Sequence, residues 1–259
     1  MSAKNTEGKR SARERMAAER ERQRVAEKRR RTMLALLSVL GVLAVAGVIA
    51  VVVNNTKDDD GGSGPLVYPK NVTGEDRLAI LDGKAAAPVT LTVYEDFRCP
   101  ACQAFETGFS KTIHELVDSG QLKAEYRLVT LIDGNLGGEG SLNSANAAAC
   151  AADQSQAKFR AYHDVLYANQ PSESDDAFAD KDTLKDLAKK VDGLDTAAFQ
   201  ACVDDGTHDS WVQKSNKAFN DSGHNSTPTV LLDGESIYGQ GKDLTPAKLK
   251  QLVAGAAKS

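Results

Sequence analysis

Apolar and polar residues alternate with two different periods along this chain. Residues 89–94 alternate apolar side chains with Thr and Tyr, which is typical of a β-strand. After Pro100 the apolar residues recur at helical spacing, and this stripe ends at Gly120. Residues 122–132 alternate again, so the sequence predicts a βαβ unit. The apolar positions of the helical stripe are Phe105, Phe109, Ile113, Leu116 and Val117.

The middle of the chain has a helical pattern without a strand signal. After a predicted loop at residues 133–138, apolar residues keep helical spacing from Ser141 to about Asp221. We therefore expect a helical insertion over about residues 139–222. Within it, Asp182 and Asp195 are the predicted N-caps of two helices.

Strand character returns near the C-terminus. Residues 227–232 read as a strand, and Asp233-Gly234 predicts a tight hairpin turn after it. A final helix is predicted with Thr245 as its N-cap and Pro246 as its first residue.

The longest apolar run lies near the N-terminus. From Met33 to Val53 the chain has no charged residue, and about 20 such residues cross a bilayer as a helix. We therefore predict a transmembrane helix at residues 32–53, a flexible polar linker at 54–65 and one domain at 66–259.

A cleaved signal peptide is the alternative interpretation of this run, since Ala44-Val45-Ala46 resembles a cleavage site. The apolar run is longer than a signal peptide requires, and the basic segment before it is also long. Both features favour an uncleaved anchor.

Charge is distributed unevenly about the apolar run. Residues 1–31 carry twelve Lys or Arg and five Glu, a net charge of +7, whereas the whole chain sums to −4. The positive-inside rule therefore keeps residues 1–31 in the cytoplasm and exports the domain. We interpret the basic segment as a topology signal that lies against anionic membrane lipid. Nothing else in the chain supports nucleic-acid binding.

The candidate chemistry lies in Cys99-Pro100-Ala101-Cys102, at the junction of a predicted strand and helix. Two cysteines with this spacing and context predict a redox site. A static disulfide and half of a zinc site are the alternatives. Zinc would need a second ligand pair, and neither the two other cysteines nor the four His residues cluster by spacing. The sequence therefore predicts neither a metal nor a cofactor.

The chain has two further cysteines, Cys150 and Cys202. Four cysteines allow three pairings, and if Cys99 pairs with Cys102, the other two are left for each other. An even number of cysteines suits an oxidising compartment.

These elements together resemble the thioredoxin fold: a βαβ unit with CxxC, a helical insertion, Thr227-Pro228 before a hairpin, and a last helix. The insertion and residues 94–102, YEDFRCPAC, are similar to DsbA-type thiol:disulfide oxidoreductases. The likeness is greatest to membrane-anchored DsbA-like proteins of actinobacteria, which carry a second cysteine pair in the insertion. It covers about residues 66–259.

The resemblance implies a role for each site residue. Cys99 is the expected nucleophile, and its position at a helix N-terminus should lower its pKa. Cys102 is the expected resolving thiol. Thr227-Pro228 matches the family's cis-proline, which faces the nucleophile and binds the backbone of an extended client. Cys150 and Cys202 are expected to form a structural disulfide, with a second redox relay as the alternative.

The implied function is a membrane-anchored oxidase that forms disulfides in exported proteins. Its expected partners are reduced or unfolded exported proteins and a quinone-linked membrane reoxidase, VKOR-like or DsbB-like, and we expect a monomer. One alternative is an enzyme that works in the opposite direction, a reductase or isomerase. The other is a non-enzymatic function, a tethered chaperone or binding module.

Two positions depart from the family pattern. Many relatives have a buried acid six residues before the nucleophile, where this chain has Val93; Glu95 and Asp96 are candidate substitutes. The most oxidising relatives have His between the cysteines, where this chain has Pro100-Ala101. Strong oxidising power is therefore implied by the family and not by these residues.

Overall fold

The structure, a computed structural model, describes residues 64–258, in which one mixed sheet is covered by helices. Its strands are β1 (Val72–Thr73), β2 (Ala79–Asp82), β3 (Val89–Glu95), β4 (Leu122–Leu128), β5 (Thr229–Leu232) and β6 (Glu235–Ser236). Its α-helices are α1 (Pro100–Asp118), α2 (Leu131–Leu136), α3 (Gly140–Gln154), α4 (Gln156–Ala168), α5 (Lys181–Ala188), α6 (Ala197–Asp205), α7 (Asp209–Asp221) and α8 (Pro246–Ala256). A single 3₁₀ turn spans Ala177–Ala179.

The predicted βαβ unit forms the centre of the sheet. β3 and β4 pair in parallel along their full lengths, and α1 connects them. Every second residue of both strands is buried, which explains why the period of two marks them in the sequence. β5 pairs antiparallel to β3 on the other side, and the full strand order is β1-β2-β4-β3-β5-β6. β1 and β2 were not predicted.

Helices pack on both faces of the sheet. On one face, Tyr126 of β4 contacts Phe159 and His163 of α4, and α1 packs beside α4. On the opposite face, Tyr94 of β3 contacts Phe219 of α7. Consecutive residues of a strand point to opposite faces, so neighbouring β3 positions meet different helices.

Helices α2 to α7 all lie between β4 and β5 in the chain. At their centre is α3, whose residues Ala147–Ala152 are buried against α4, α6 and α7. Small side chains let these helices approach closely, which is the structural use of the alanine-rich pattern.

Four local predictions were wrong. Ile132 was assigned to a strand and residues 133–138 to a loop, but β4 ends at Leu128 and α2 follows. The strand does not continue, because the N–H groups of Thr130 and Ile132 donate to the side chains of Asn216 (3.0 Å) and Asp96 (2.8 Å). The N-caps also lie beside the predicted ones: Asp180 and Thr196 accept the capping hydrogen bonds. The hairpin turn is as predicted, with positive φ at Asp233 and Gly234, and Thr245 caps α8.

Within residues 64–258, no helix combines the length and apolar character needed to span a bilayer. The transmembrane helix predicted at residues 32–53 and the linker up to residue 63 lie outside the described residues.

Candidate active site

The two cysteines of the CxxC motif lie at the start of α1, and both are free thiols. Cys99 is the N-cap residue and Pro100 the first helical residue, a position where the missing N–H of proline costs nothing. The Cys99 side chain is 6% exposed, whereas Cys102, within the first turn, is fully buried. An incoming sulfur can therefore reach Cys99 and not Cys102.

The segment that leads into β5 meets Cys99. β5 pairs with β3 in a register that places Thr229 opposite Tyr94, so the residues before Thr229 reach the end of β3 where α1 begins. The Cys99 thiol donates to the carbonyl oxygen of Thr227 over 3.4 Å. The Thr227-Pro228 peptide bond is cis, as the resemblance implies.

The surroundings of the two thiols shift their pKa values in opposite directions. A hydrogen bond from Cys102 to the Cys99 sulfur is the largest influence and lowers the pKa of Cys99 to about 6. Thr227 and the backbone N–H groups of Ala101 and Cys102 act in the same direction, against the effect of burial. Burial raises the pKa of Cys102 well above its usual value. At neutral pH the site therefore holds one thiolate and one thiol.

Arg98, the residue before the nucleophile, holds the neighbouring loops in place. Its guanidinium is 2% exposed and forms ion pairs with Asp133 (2.6 Å) and Asp176 (2.9 Å). It also donates to the carbonyl oxygens of Gly137 and Glu173. One side chain thus connects the segment after α2 with the segment after α4 beside Cys99.

Two further features complete this arrangement. Gln170 donates to the carbonyl oxygens of Phe97 and Cys99, at 2.8 and 3.0 Å. Gly138 has a φ of +98°, and a Cβ there would collide with the Asp176 carboxylate. The sequence analysis did not predict a role for Arg98 or Gln170. For Arg98, its position directly before the CxxC motif was the available signal.

Glu95 and Asp96, the two candidate substitutes for the acid that Val93 replaces, have different surroundings. Asp96 anchors the backbone, since its carboxylate accepts from the N–H groups of Arg98 and Ile132, each at 2.8 Å. Burial raises its pKa to about 7. Glu95 is fully buried on the same face of β3 as Val93, and its carboxylate lies 2.9 Å from Nε2 of His163.

Cys150 and Cys202 form a disulfide that joins α3 to α6. The imidazole of His208 lies near both sulfurs, a proximity that the sequence spacing did not predict. Because both sulfurs are in the disulfide, this group offers no thiolate to a metal. The other group of close carboxylate and imidazole atoms in the described residues, Glu95, Glu106 and His163, already contains the hydrogen bond between Glu95 and His163.

Comparisons with known proteins agree with the resemblance drawn from residues 94–102. The family model described as thioredoxin matches residues 76–254. Disulfide bond formation protein D of Bacillus subtilis (strain 168) is 25% identical over 184 residues, which is 71% of this chain and 78% of that protein. Reduced DsbA from Mycobacterium tuberculosis is similar in structure, with a TM-score of 0.60, 27% identity, and coverage of 70% of this chain and 93% of that one. MdbA, a thiol-disulfide oxidoreductase from Actinomyces oris, is similar with a TM-score of 0.59 and 25% identity. The match covers 73% of this chain and 89% of that one.

Proposed function

Because the chain belongs to the thioredoxin family and is a thiol:disulfide oxidoreductase of the DsbA type, we propose that it forms disulfides in exported proteins. We place its catalytic domain outside the cytoplasm, anchored in the cell membrane by residues 32–53. The observation that carries the direction of the reaction is the lowered pKa of Cys99.

A stabilised thiolate favours the dithiol over the disulfide, and so makes the disulfide an oxidant. With the pKa of Cys99 at about 6 instead of 9.0, the reduced form gains about 1.4 kcal/mol at pH 7. For a two-electron couple this raises the reduction potential by about 30 mV. This increase in the reduction potential supports oxidation of clients over their reduction.

The reaction begins from the Cys99–Cys102 disulfide. A client thiolate attacks Sγ of Cys99, the Cys99–Cys102 bond breaks, and its electron pair leaves on Cys102. A second client thiolate then attacks the client sulfur of the mixed disulfide, and Cys99 leaves as the stabilised thiolate. The client loses two electrons, which reduce the enzyme to its dithiol.

Partners follow from this chemistry. The backbone beside Cys99, at Thr227 and Pro228, would pair with an extended client, which permits many sequences. The dithiol must then be reoxidised, and a quinone-linked membrane protein of the VKOR or DsbB kind would accept the two electrons. The name of the Bacillus relative, a disulfide bond formation protein, is consistent with this role.

The reduction potential tests the direction. The full chain in detergent is equilibrated with glutathione mixtures and alkylated, and peptides with Cys99 and Cys102 are quantified separately from those with Cys150 and Cys202. We expect a potential above the ~−270 mV of thioredoxin, in the direction of the ~−120 mV of a strong oxidase. A value near that of thioredoxin would favour the reductase. Cys99→Ser, which cannot form the active-site disulfide, is the control.

Labelling of intact cells tests the location. After mild reduction, a membrane-impermeant maleimide should react with Cys99 before the cells are lysed, and the protein should stay with the membrane in alkaline carbonate. A Cys99→Ala/Cys102→Ala variant gives the background. Labelling only after lysis would contradict export, and release from the membrane would support a cleaved signal peptide.

A further inference from the structure

A glutamine from the helical insertion holds the backbone at the nucleophile. Gln170 lies just after the end of α4, and its Nε2 donates to the carbonyl oxygens of Phe97 and Cys99, at 2.8 and 3.0 Å. A side-chain amide has two N–H groups, so both of them are used at the turn between β3 and α1. The insertion is therefore fastened to the residues on either side of Arg98.

Two carbonyl groups at this turn depend on the amide. Phe97 is 1% exposed, so water is poorly placed to replace the amide at its carbonyl oxygen. The carbonyl oxygen of Cys99 also accepts the backbone N–H of Gln103 at 3.1 Å, which is the first hydrogen bond of α1. Gln170 thus acts on the same oxygen as the hydrogen bond with which the active-site helix begins.

The direction of the Cys99 carbonyl group is linked to where the Cys99 sulfur lies relative to α1. Cys99 has φ −78° and ψ 118°, the extended backbone of an N-cap residue. In this conformation the backbone N–H groups of Ala101 and Cys102 stabilise its thiolate. Pro100 has no N–H group, so it cannot replace either donor. Rotation about ψ of Cys99 would turn the carbonyl group away from Gln170 and would move the sulfur relative to both N–H groups.

We propose that Gln170 is a positioning residue for the nucleophile: by holding the Cys99 carbonyl group, it keeps the reactive sulfur at the N-terminus of α1. Gln170 acts through the Cys99 backbone, and its N–H groups also offset the partial negative charge of two carbonyl oxygens near the thiolate. This role requires thiol–disulfide exchange at Cys99 but not a particular direction of exchange.

A second glutamine provides a matched control. Gln103 of α1 donates from its side chain to the carbonyl oxygen of Tyr167 in α4, at 2.9 Å. It joins the same two parts of the chain through the same kind of hydrogen bond, and both glutamines are partly buried. The side-chain amide of Gln170 contacts the Cys99 backbone, whereas that of Gln103 contacts α4. A role that only fastens the insertion to α1 would therefore be shared by both residues.

The test compares Gln170→Met and Gln103→Met in the full chain in detergent. Methionine is similar in length to glutamine but has no N–H group, and neither substitution alters Cys102 or Thr227, which also act on the Cys99 sulfur. The active-site cysteines are reduced, and mass analysis verifies that Cys150–Cys202 stays intact. The pKa of Cys99 is measured by thiolate absorbance, and the redox equilibrium with glutathione is measured by alkylation.

We expect Gln170→Met to raise the pKa of Cys99 by about 0.5 to 1 unit, the size of effect that one lost hydrogen bond produces. The dithiol is then less favoured, so at pH 7 the equilibrium with glutathione should shift about three- to fivefold toward the active-site disulfide. In Gln103→Met the pKa should stay within about 0.2 unit of the wild type. Urea unfolding of both variants reports the loss of stability that the two contacts share.

A third variant separates the loss of the donor from the change of side chain. Gln170→Lys retains N–H donors on a long side chain, so the pKa of Cys99 should return toward that of the wild type or fall below it. The proposal would be overturned by an unchanged pKa in Gln170→Met, by equal increases in both methionine variants, or by a pKa in Gln170→Lys as high as in Gln170→Met. A low reduction potential of the wild type would instead contradict the proposed direction of the reaction, because this test compares variants with the wild type.

Discussion

The pKa of Cys99 predicts a pH dependence of stability that one pair of variants can isolate. Cys102→Ser leaves Cys99 as a single thiol, keeps a hydroxyl donor beside it and retains the second disulfide without added reductant. Cys99→Ala/Cys102→Ser removes the titrating group. The difference between their free energies of unfolding then reports Cys99 alone, because all other titrating groups are common to both.

The sign and size follow from linkage. The folded pKa is about 6 and the unfolded value 9.0, so the thiolate stabilises the fold at high pH, and this contribution is lost as the pH falls through the folded pKa. Integration from about pH 5 to about pH 8 gives a gain of about 2.6 kcal/mol. At pH values above the pKa of Cys99 in the unfolded chain, the gain in the free energy of unfolding would level off near 4 kcal/mol, since each unit of pKa difference contributes about 1.36 kcal/mol.

Urea unfolding of residues 64–259 at several pH values measures this difference. Between about pH 5 and about pH 8, the free energy of unfolding of Cys102→Ser should increase relative to that of the double variant. Cys102→Ala, which lacks the donor with the largest influence on Cys99, should show a smaller rise. Parallel curves for Cys102→Ser and the double variant would refute the assignment of a stabilised thiolate to Cys99.

Three other substitutions test separate parts of the site. Thr227→Val removes the hydroxyl of a residue that lowers the pKa of Cys99 and should therefore raise that pKa, measured by the ultraviolet absorbance of the thiolate; an unchanged pKa would show that the hydroxyl does not act on the sulfur. Cys150→Ala/Cys202→Ala should lower the free energy of unfolding by roughly 4 kcal/mol while exchange at Cys99 persists; loss of exchange would instead favour a redox relay. Arg98→Met should cost about 3 kcal/mol, because it removes a buried guanidinium that pairs with two partly buried carboxylates; a change below about 1 kcal/mol in urea unfolding would show that the loops hold without it.

The elements that could be predicted are those whose pattern is local. The alternation of β3, the apolar stripe of α1 and the N-cap of α8 depend on residues close in sequence. The end of β4 could not be predicted, since the N–H groups of Thr130 and Ile132 donate to side chains 86 and 36 residues away, those of Asn216 and Asp96. β2 is short and fully buried, so it lacks the alternation that identifies β3.

The CxxC motif itself was evident from the sequence, but its support was not. Glu106 lies in an amphipathic helix, where a glutamate ordinarily faces solvent. It is buried only because α4, which begins 50 residues later, packs across it and brings His163. Arg98 likewise has no local partner, since Asp133 and Asp176 approach it only in the folded chain. Such contacts between distant segments have no periodic signature.

β3 holds a buried acid, Glu95, two residues after Val93, the position at which many relatives have one. Side chains of a strand alternate between faces, so Glu95 shares the face of Val93, whereas Tyr94 between them contacts α7. A shift of two residues moves the carboxylate about 7 Å along the strand without changing its face. At that depth it meets His163 from the helical insertion, which supplies the positive charge that a buried carboxylate requires. The insertion therefore does more than cover the sheet: it brings the imidazole that pairs with the buried Glu95 carboxylate.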